Sequence, residues 1–232
     1  MNGAILFDCD GVVIDSEPLW DKAQAEFLMR RGFVYDRAAV KHRLTASSAV
    51  GAIRIMQDIY GFGGDPETLA LERIDIMRGL FTSELEFVPG FVEFFATIKE
   101  TYKTCIATSL HPDLLALADK RLGLSRYFGD RMYTVADAGG AGKPDPAVFL
   151  YAARMLGVAP GQCLVIEDSP FGIEAARRAG MRCAALTTTY GRDLLAGAEQ
   201  IAGSFDGISP APPAAAGAAQ QHTGTHGDHR KL

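Results

Sequence analysis

Hydrophobic and polar positions fall into two regimes along the chain. A short apolar run, Ala4–Phe7, stops at Asp8 and Asp10, which reads as a buried strand followed by a turn. From about residue 16 to 86 the pattern is helical. Ser16 can cap a helix over Glu17–Arg31, with Leu19, Ala23, Phe27 and Arg30 in phase and Gly32 closing it. A short helix follows over Arg37–Arg43, and Ser47 or Ser48 opens a third that carries Val50, Ile53, Gln57 and Tyr60 as far as Gly61. Asp65-Pro66 starts a long fourth helix through Leu69, Arg73, Ile76 and Leu80. After Pro89-Gly90 and the apolar helical face of Phe91, Val92, Phe94, Phe95 and Ile98, strands and helices alternate. Strands are predicted over Thr104–Ala107, Met132–Val135, Cys163–Ile166 and Cys183–Leu186, with a weak one at Ile201-Ala202. The helices between them start at Pro112, Asp145-Pro146 and Ser169-Pro170 and stop at Gly123, Gly157 and Gly180.

This alternation predicts an α/β fold, a Rossmann-like parallel sheet with helices on both faces. The helical stretch after the first strand is too long for a plain crossover and reads as an inserted α-helical cap. The predicted division is residues 1–15 and 88–208 for the core, 16–87 for the cap, and 209–232 for a disordered tail rich in Ala, Pro, Gly, Gln and His. The tail holds His222, His226 and His229, for which a solvated tail is a better reading than a metal site.

Composition narrows the function classes. The chain has 232 residues, 48% of them hydrophobic, enough for a sizeable core. Its net charge of −5 argues against a nucleic-acid partner. No apolar run approaches the ~18 residues of a membrane span. The first strand begins without a basic leader, so a cytoplasmic protein is expected. Cys9, Cys105, Cys163 and Cys183 lie in or beside predicted strands without C-x-x-C spacing, and read as reduced, mostly buried thiols.

The chemistry collects at strand ends. Ligands in open parallel sheets bind outside the carboxyl ends of the strands. There the first strand supplies Asp8 and Asp10, the second Thr108 and Ser109, and the fourth Glu167 and Asp168, while Lys143 precedes a helix in Gly142-Lys143-Pro144-Asp145-Pro146. Any one of these has an ordinary explanation as a turn, cap or surface charge. Together they suit a hard cation beside a phosphoryl group, since Mg²⁺ is usually held by one or two carboxylates plus substrate phosphate.

The run Asp8-Cys9-Asp10-Gly11-Val12-Val13 after an apolar strand resembles the first motif of the haloacid dehalogenase superfamily, in its branch of helical-cap phosphatases and β-phosphoglucomutases. Thr108, Lys143 and Glu167-Asp168-Ser169 match the remaining motifs in order, so the resemblance spans about residues 4–208. It implies that Asp8 is the nucleophile, forming an aspartyl-phosphate, and Asp10 the general acid and base. It further implies that Asp8, the Asp10 carbonyl and Asp168 hold Mg²⁺ with Glu167 nearby, and that Thr108, Ser109 and Lys143 bind the phosphoryl group.

Dehalogenases and phosphonatases of this family lack the second acid, so Asp10 disfavours both. The mutases carry a histidine and an arginine in the cap where this chain has Trp20 and Ala46, which favours hydrolysis. Trp20, His42 and Arg43 remain candidate cap contacts to substrate. The expectation is a Mg²⁺-dependent phosphatase of a small sugar or polyol phosphate, a monomer by analogy, with a phosphosugar mutase as the alternative. A catalytically silent binding module is disfavoured because no core motif residue is missing. The segments near residues 14–16 and 87–90 are the expected hinges of cap motion.

Overall fold

The computed structural model describes residues 3–44 and 47–211. The His42 side chain, residues 45–46, and the tail from residue 212 with its three histidines lie outside the described residues.

Six parallel strands form one sheet: β1 (Ala4–Phe7), β2 (Lys103–Thr108), β3 (Met132–Thr134), β4 (Cys163–Glu167), β5 (Arg182–Leu186) and β6 (Gln200–Ala202). Their order is β3-β2-β1-β4-β5-β6. β1 sits at the centre, with Phe7 in register with Ile106 on one side and Ile166 on the other. Strands buried on both faces read as continuous apolar runs, and β1 is buried at every position. Alternate side chains serve the two faces. Ile5 and Phe7 join one cluster with α5 (Phe91–Ile98) and α6 (Pro112–Leu122). Ala4 and Leu6 join the other with α8 (Ala147–Leu156) and α9 (Pro170–Arg178). Phe7 packs against the rings of Phe91, Phe94, Phe95 and Phe128, the last in a short α7 (Ser125–Phe128) that the sequence pattern does not predict.

Between β1 and α5 the chain forms four helices: α1 (Glu17–Met29), α2 (Arg37–Leu44), α3 (Ala49–Tyr60) and α4 (Pro66–Ser83). Asp65 and Ser48 cap α4 and α3 through Thr68 N and Gly51 N. Phe27, Leu28, Val40, Ile53, Met56 and Ala70 give these helices a cluster of their own. Met77 and Phe81 instead join the core beside β1, and α4 packs on α6. Of the α4 positions expected in phase, Arg73 is buried while Leu69, Ile76 and Leu80 are partly buried against the clusters, and Ala70, Met77 and Phe81 beside them complete the buried set. The reason is that α4 lies between α1, α3 and α6 and needs apolar side chains on more than one face.

The excursion leaves and returns at one place. Asp15 N donates to Glu86 O at 2.9 Å and Val88 N to Val13 O at 3.1 Å, so the two connecting segments lie side by side. Beyond β6, the first residues assigned to the tail are tied down, since Ser209 N donates to Gln200 Oε1 at 2.8 Å and Arg182 to Pro210 O and Ala211 O. All four cysteines are buried and free. No helix among the described residues is long and apolar enough to cross a membrane.

Candidate active site

Strand order reverses between β1 and β4, so the chain leaves these neighbours toward opposite sides and a crevice opens at their carboxyl ends. Asp8 N donates to Ile166 O at 2.9 Å, continuing the ladder by one residue and fixing where the Asp8 side chain emerges. Gly11 then turns the chain at φ +71°. A β-carbon there would lie 1.9 Å from Asp168 Oδ2, so only glycine lets the two loops approach so closely.

Asp8, Asp10, Thr108, Ser109, Lys143, Glu167 and Asp168, the whole set expected from the core motifs, line one cavity of about 160 Å³. Lys143 Nζ lies 2.5 Å from Asp8 Oδ1 and 2.6 Å from Glu167 Oε1, bridging two carboxylates from adjacent strands. The Phe149 ring lies beneath it, with its centroid 4.8 Å from Nζ. Burial alone would lower the Lys143 pKa, but the charges of Asp8 and Glu167 outweigh it and hold the ammonium above its usual range.

Carboxylate oxygens of Asp8, Glu167 and Asp168 lie within 4.8 Å of one another, and all three residues are buried. Burial raises Asp8 to about 7 despite the opposing Lys143 charge, with Glu167 and Asp10 adding to the rise. Burial, with the charges of Glu167 and Asp8, pushes Asp168 well above the ordinary carboxylate range, against the Thr189 hydrogen bond. Lys143 alone thus leaves this cluster short of positive charge, and its hard oxygen donors fit a divalent cation. The donors are not equivalent. Glu167 Oε1 accepts from Lys143, and Oε2 accepts from Asp168 N at 2.9 Å and from Ser169 N and Oγ at 3.0 Å. Its lone pairs are therefore largely committed within the protein. Glu167 thus holds Lys143 while its carboxylate still lies within reach of the same ion as those of Asp8 and Asp168.

Asp10 has a different environment. Ser16 Oγ donates to its Oδ1 at 2.5 Å. Contrary to the sequence pattern, Ser16 therefore does not cap α1 with its side chain; its hydroxyl serves Asp10 instead. Burial raises the Asp10 pKa, opposed by the Ser16 hydroxyl and the Trp20 indole. Thr108 is fully buried and its Oγ1 accepts from Leu110 N at 3.0 Å, which fixes the turn that presents Ser109 to the cavity. Thr189, just past β5, donates to Asp168 Oδ2. The run Thr187-Thr188-Thr189 at a strand's carboxyl end is the signal that would have revealed it.

A second, larger cavity of about 570 Å³ adjoins this one, sharing Asp10, Glu17 and Ser109, and runs between the inserted helices and the sheet edge. Trp20 lines it, as expected for the opening of the first cap helix. Arg43 is exposed and is not among the lining residues; Lys41, on another side of α2, lines the cavity and pairs with Glu17. Gln24 and Arg73 also line it, and neither stands out as a site residue in the sequence.

A family model described as haloacid dehalogenase-like hydrolase matches residues 3–180. The chain is similar to the fructose-1-phosphate phosphatase of Escherichia coli, with 33% identity over 180 residues, 76% of this chain and 92% of that protein. It is similar to the 6-phosphogluconate phosphatase of the same organism, with 28% identity over 179 residues, 77% of this chain and 79% of that protein. Among solved structures, a haloacid dehalogenase family hydrolase of Deinococcus radiodurans with bound phosphate and sodium superposes with a TM-score of 0.75 at 25% identity, covering 88% of this chain and 92% of that one.

Proposed function

The chain belongs to the haloacid dehalogenase-like hydrolases, and from that premise we propose that it is a Mg²⁺-dependent phosphatase acting on a small sugar or polyol phosphate. The observation that carries this reading is the position of Lys143 between Asp8 and Glu167 at the β1/β4 crevice, with Asp168 beside them and Asp10 lining the same cavity. The phosphatases among its relatives support the substrate class.

In this reading the Asp8 carboxylate attacks phosphorus, forming a P–O bond to Asp8 as the bond to the ester oxygen breaks. Asp10, whose environment favours its acid form, gives its proton to the departing alkoxide. It then takes a proton from the water whose oxygen bonds to phosphorus as the Asp8–phosphorus bond breaks, and inorganic phosphate leaves with Asp8 again a carboxylate and Asp10 again in its acid form. Lys143 and the loop at Thr108-Ser109 hold phosphoryl oxygens as charge spreads over them. Asp8 and Asp168 would hold the Mg²⁺, which offsets the repulsion between an anionic nucleophile and an anionic phosphate.

Residues 16–87 would form the cap and residues 1–15 with 88–208 the catalytic core, hinged where segments 14–16 and 87–90 pair. Closure over the crevice would exclude bulk water from the aspartyl-phosphate.

The test is release of inorganic phosphate from sugar, polyol, nucleotide and aryl phosphates, with and without EDTA. Hydrolysis abolished by EDTA and restored by Mg²⁺ is the expected result. Conversion of β-glucose 1-phosphate to glucose 6-phosphate without phosphate release would establish the mutase instead, and turnover unaffected by EDTA would overturn the metal.

A further inference from the structure

Arg73 carries a charge that no carboxylate among the described residues matches. It is 6% exposed, and its contacts among the described residues are with Gln24 and Trp20. Its described hydrogen bond runs from Nε to Gln24 Oε1 at 3.0 Å, and Gln24 is itself 3% exposed. Its guanidinium carbon lies 5.0 Å from the centroid of the Trp20 ring. Burial lowers its pKa to about 10, which still leaves it charged at neutral pH.

The direction of the remaining donors follows from these contacts. Gln24 takes Nε, so the two terminal nitrogens form the free edge of the fork. Every fully buried side-chain polar atom among the described residues has a hydrogen-bond partner. The terminal nitrogens have no described partner and so are not sealed; they reach the open space of the 570 Å³ cavity, which Arg73, Gln24 and Trp20 all line. Asp10 and Ser109, at the phosphoryl end, line the same space. Other charges around it are already matched: Lys41 pairs with Glu17, and Ser16 holds Asp10. A buried cation without a partner is strongly unfavourable unless a ligand supplies the opposite charge. A planar fork whose outer edge is open suits a carboxylate or a phosphate, either of which it can bind through two parallel hydrogen bonds. A hydroxyl could accept one such bond but would leave the charge uncompensated.

We propose that Arg73, oriented by Gln24 and backed by Trp20, binds a second anionic group at the far end of the substrate, so that the enzyme selects phosphorylated hydroxy acids or bisphosphates over neutral-ended sugar and polyol phosphates. The selection rests on the phosphatase reading for its meaning, but the binding preference can be measured without turnover.

The Asp8→Asn protein, in Mg²⁺, is titrated by calorimetry with 6-phosphogluconate, fructose 1,6-bisphosphate and sorbitol 6-phosphate. At least one of the doubly anionic esters is expected to bind about tenfold or more tightly than sorbitol 6-phosphate. Which of the two is preferred tells whether the far group is a carboxylate or a phosphate. Adding Arg73→Gln should erase the preference, and adding Arg73→Lys should restore part of it. Equal affinities for all three esters in the Asp8→Asn protein overturn the inference, even if the Arg73 variants do not fold, and so does a preference that survives Arg73→Gln. If the unaltered protein releases phosphate from no ester while the preference persists, the phosphatase reading fails and the anion site stands.

Discussion

Ser16 Oγ donates to Asp10 Oδ1 at 2.5 Å, across six positions of chain that include the turn at Gly11. The hydroxyl stabilises the charged form of Asp10 against the burial that raises its pKa. Ser16→Ala should therefore raise that pKa further. The alkaline limb of kcat/KM, where the general acid is lost, should move to higher pH, and kcat should fall about tenfold because the base of the second step is less well held. Ser16→Thr should restore both. An unchanged pH profile with a uniformly reduced rate would reduce Ser16 to a structural role.

On the proposed mechanism, replacing Asp8 removes the nucleophile. Asp8→Asn should lower hydrolysis of an aryl phosphate by at least about 10³-fold. No phosphate should remain bound covalently after acid quenching of the variant with radiolabelled substrate, whereas the unaltered protein should trap label on Asp8. Label on the variant would show that another residue attacks.

Gly172 lies in the first turn of α9, and a β-carbon there would stand 1.7 Å from Glu167 Oε1. Gly172→Ala would gain about 1 kcal/mol of helix propensity if nothing else changed. The overlap should win, because Glu167 is fully buried and committed to Lys143, Asp168 N and Ser169. The expected outcome is a lower melting temperature together with at least a tenfold loss of kcat, since Lys143 is released from its setting. A more stable, fully active variant would show that Glu167 can relax without consequence.

Removing metal should make stability depend on pH in a defined window. Asp8 is raised to about 7 and Asp168 is raised too, both mainly by burial. Between the ordinary carboxylate range and those values the folded protein binds more protons than the unfolded chain, so its stability falls as pH rises. Asp65 and Glu174, held low by Thr68 and by Arg177 with Arg178, act in the opposite sense but at lower pH. In EDTA the melting temperature should drop by on the order of 5 °C from pH 5 to pH 8, and Mg²⁺ should remove most of that slope. Equal slopes with and without Mg²⁺ would mean that the ion does not meet these carboxylates.

The core was legible in the sequence because parallel strands announce themselves as apolar runs and their carboxyl ends share one rim. Asp8, Thr108 and Glu167 could be placed together from topology alone. The cap side was not legible in the same way. Arg73 meets Gln24 across 49 positions, through a packing of α4 on α1 that no local pattern encodes. In the helical periodicity it was one member of a stripe, and its burial with an open fork is a tertiary fact. The sequence offers His42 or Arg43 as the nearby cation; Arg43 is exposed, and α2 presents Lys41 to the cavity instead. Ser16 was ambiguous because a hydroxyl before a helix can serve either the backbone or a neighbouring acid, and only the fold decides which.

The side-by-side pairing of residues 13–15 with 86–88 has a modular consequence. A helical segment whose two ends meet at one point on the rim can be exchanged or remodelled without disturbing the strand that leads into Asp8. On the proposed reading, chimaeras joined at this neck should keep the chemistry of the Asp8 rim and take their substrate preference from the donor helices.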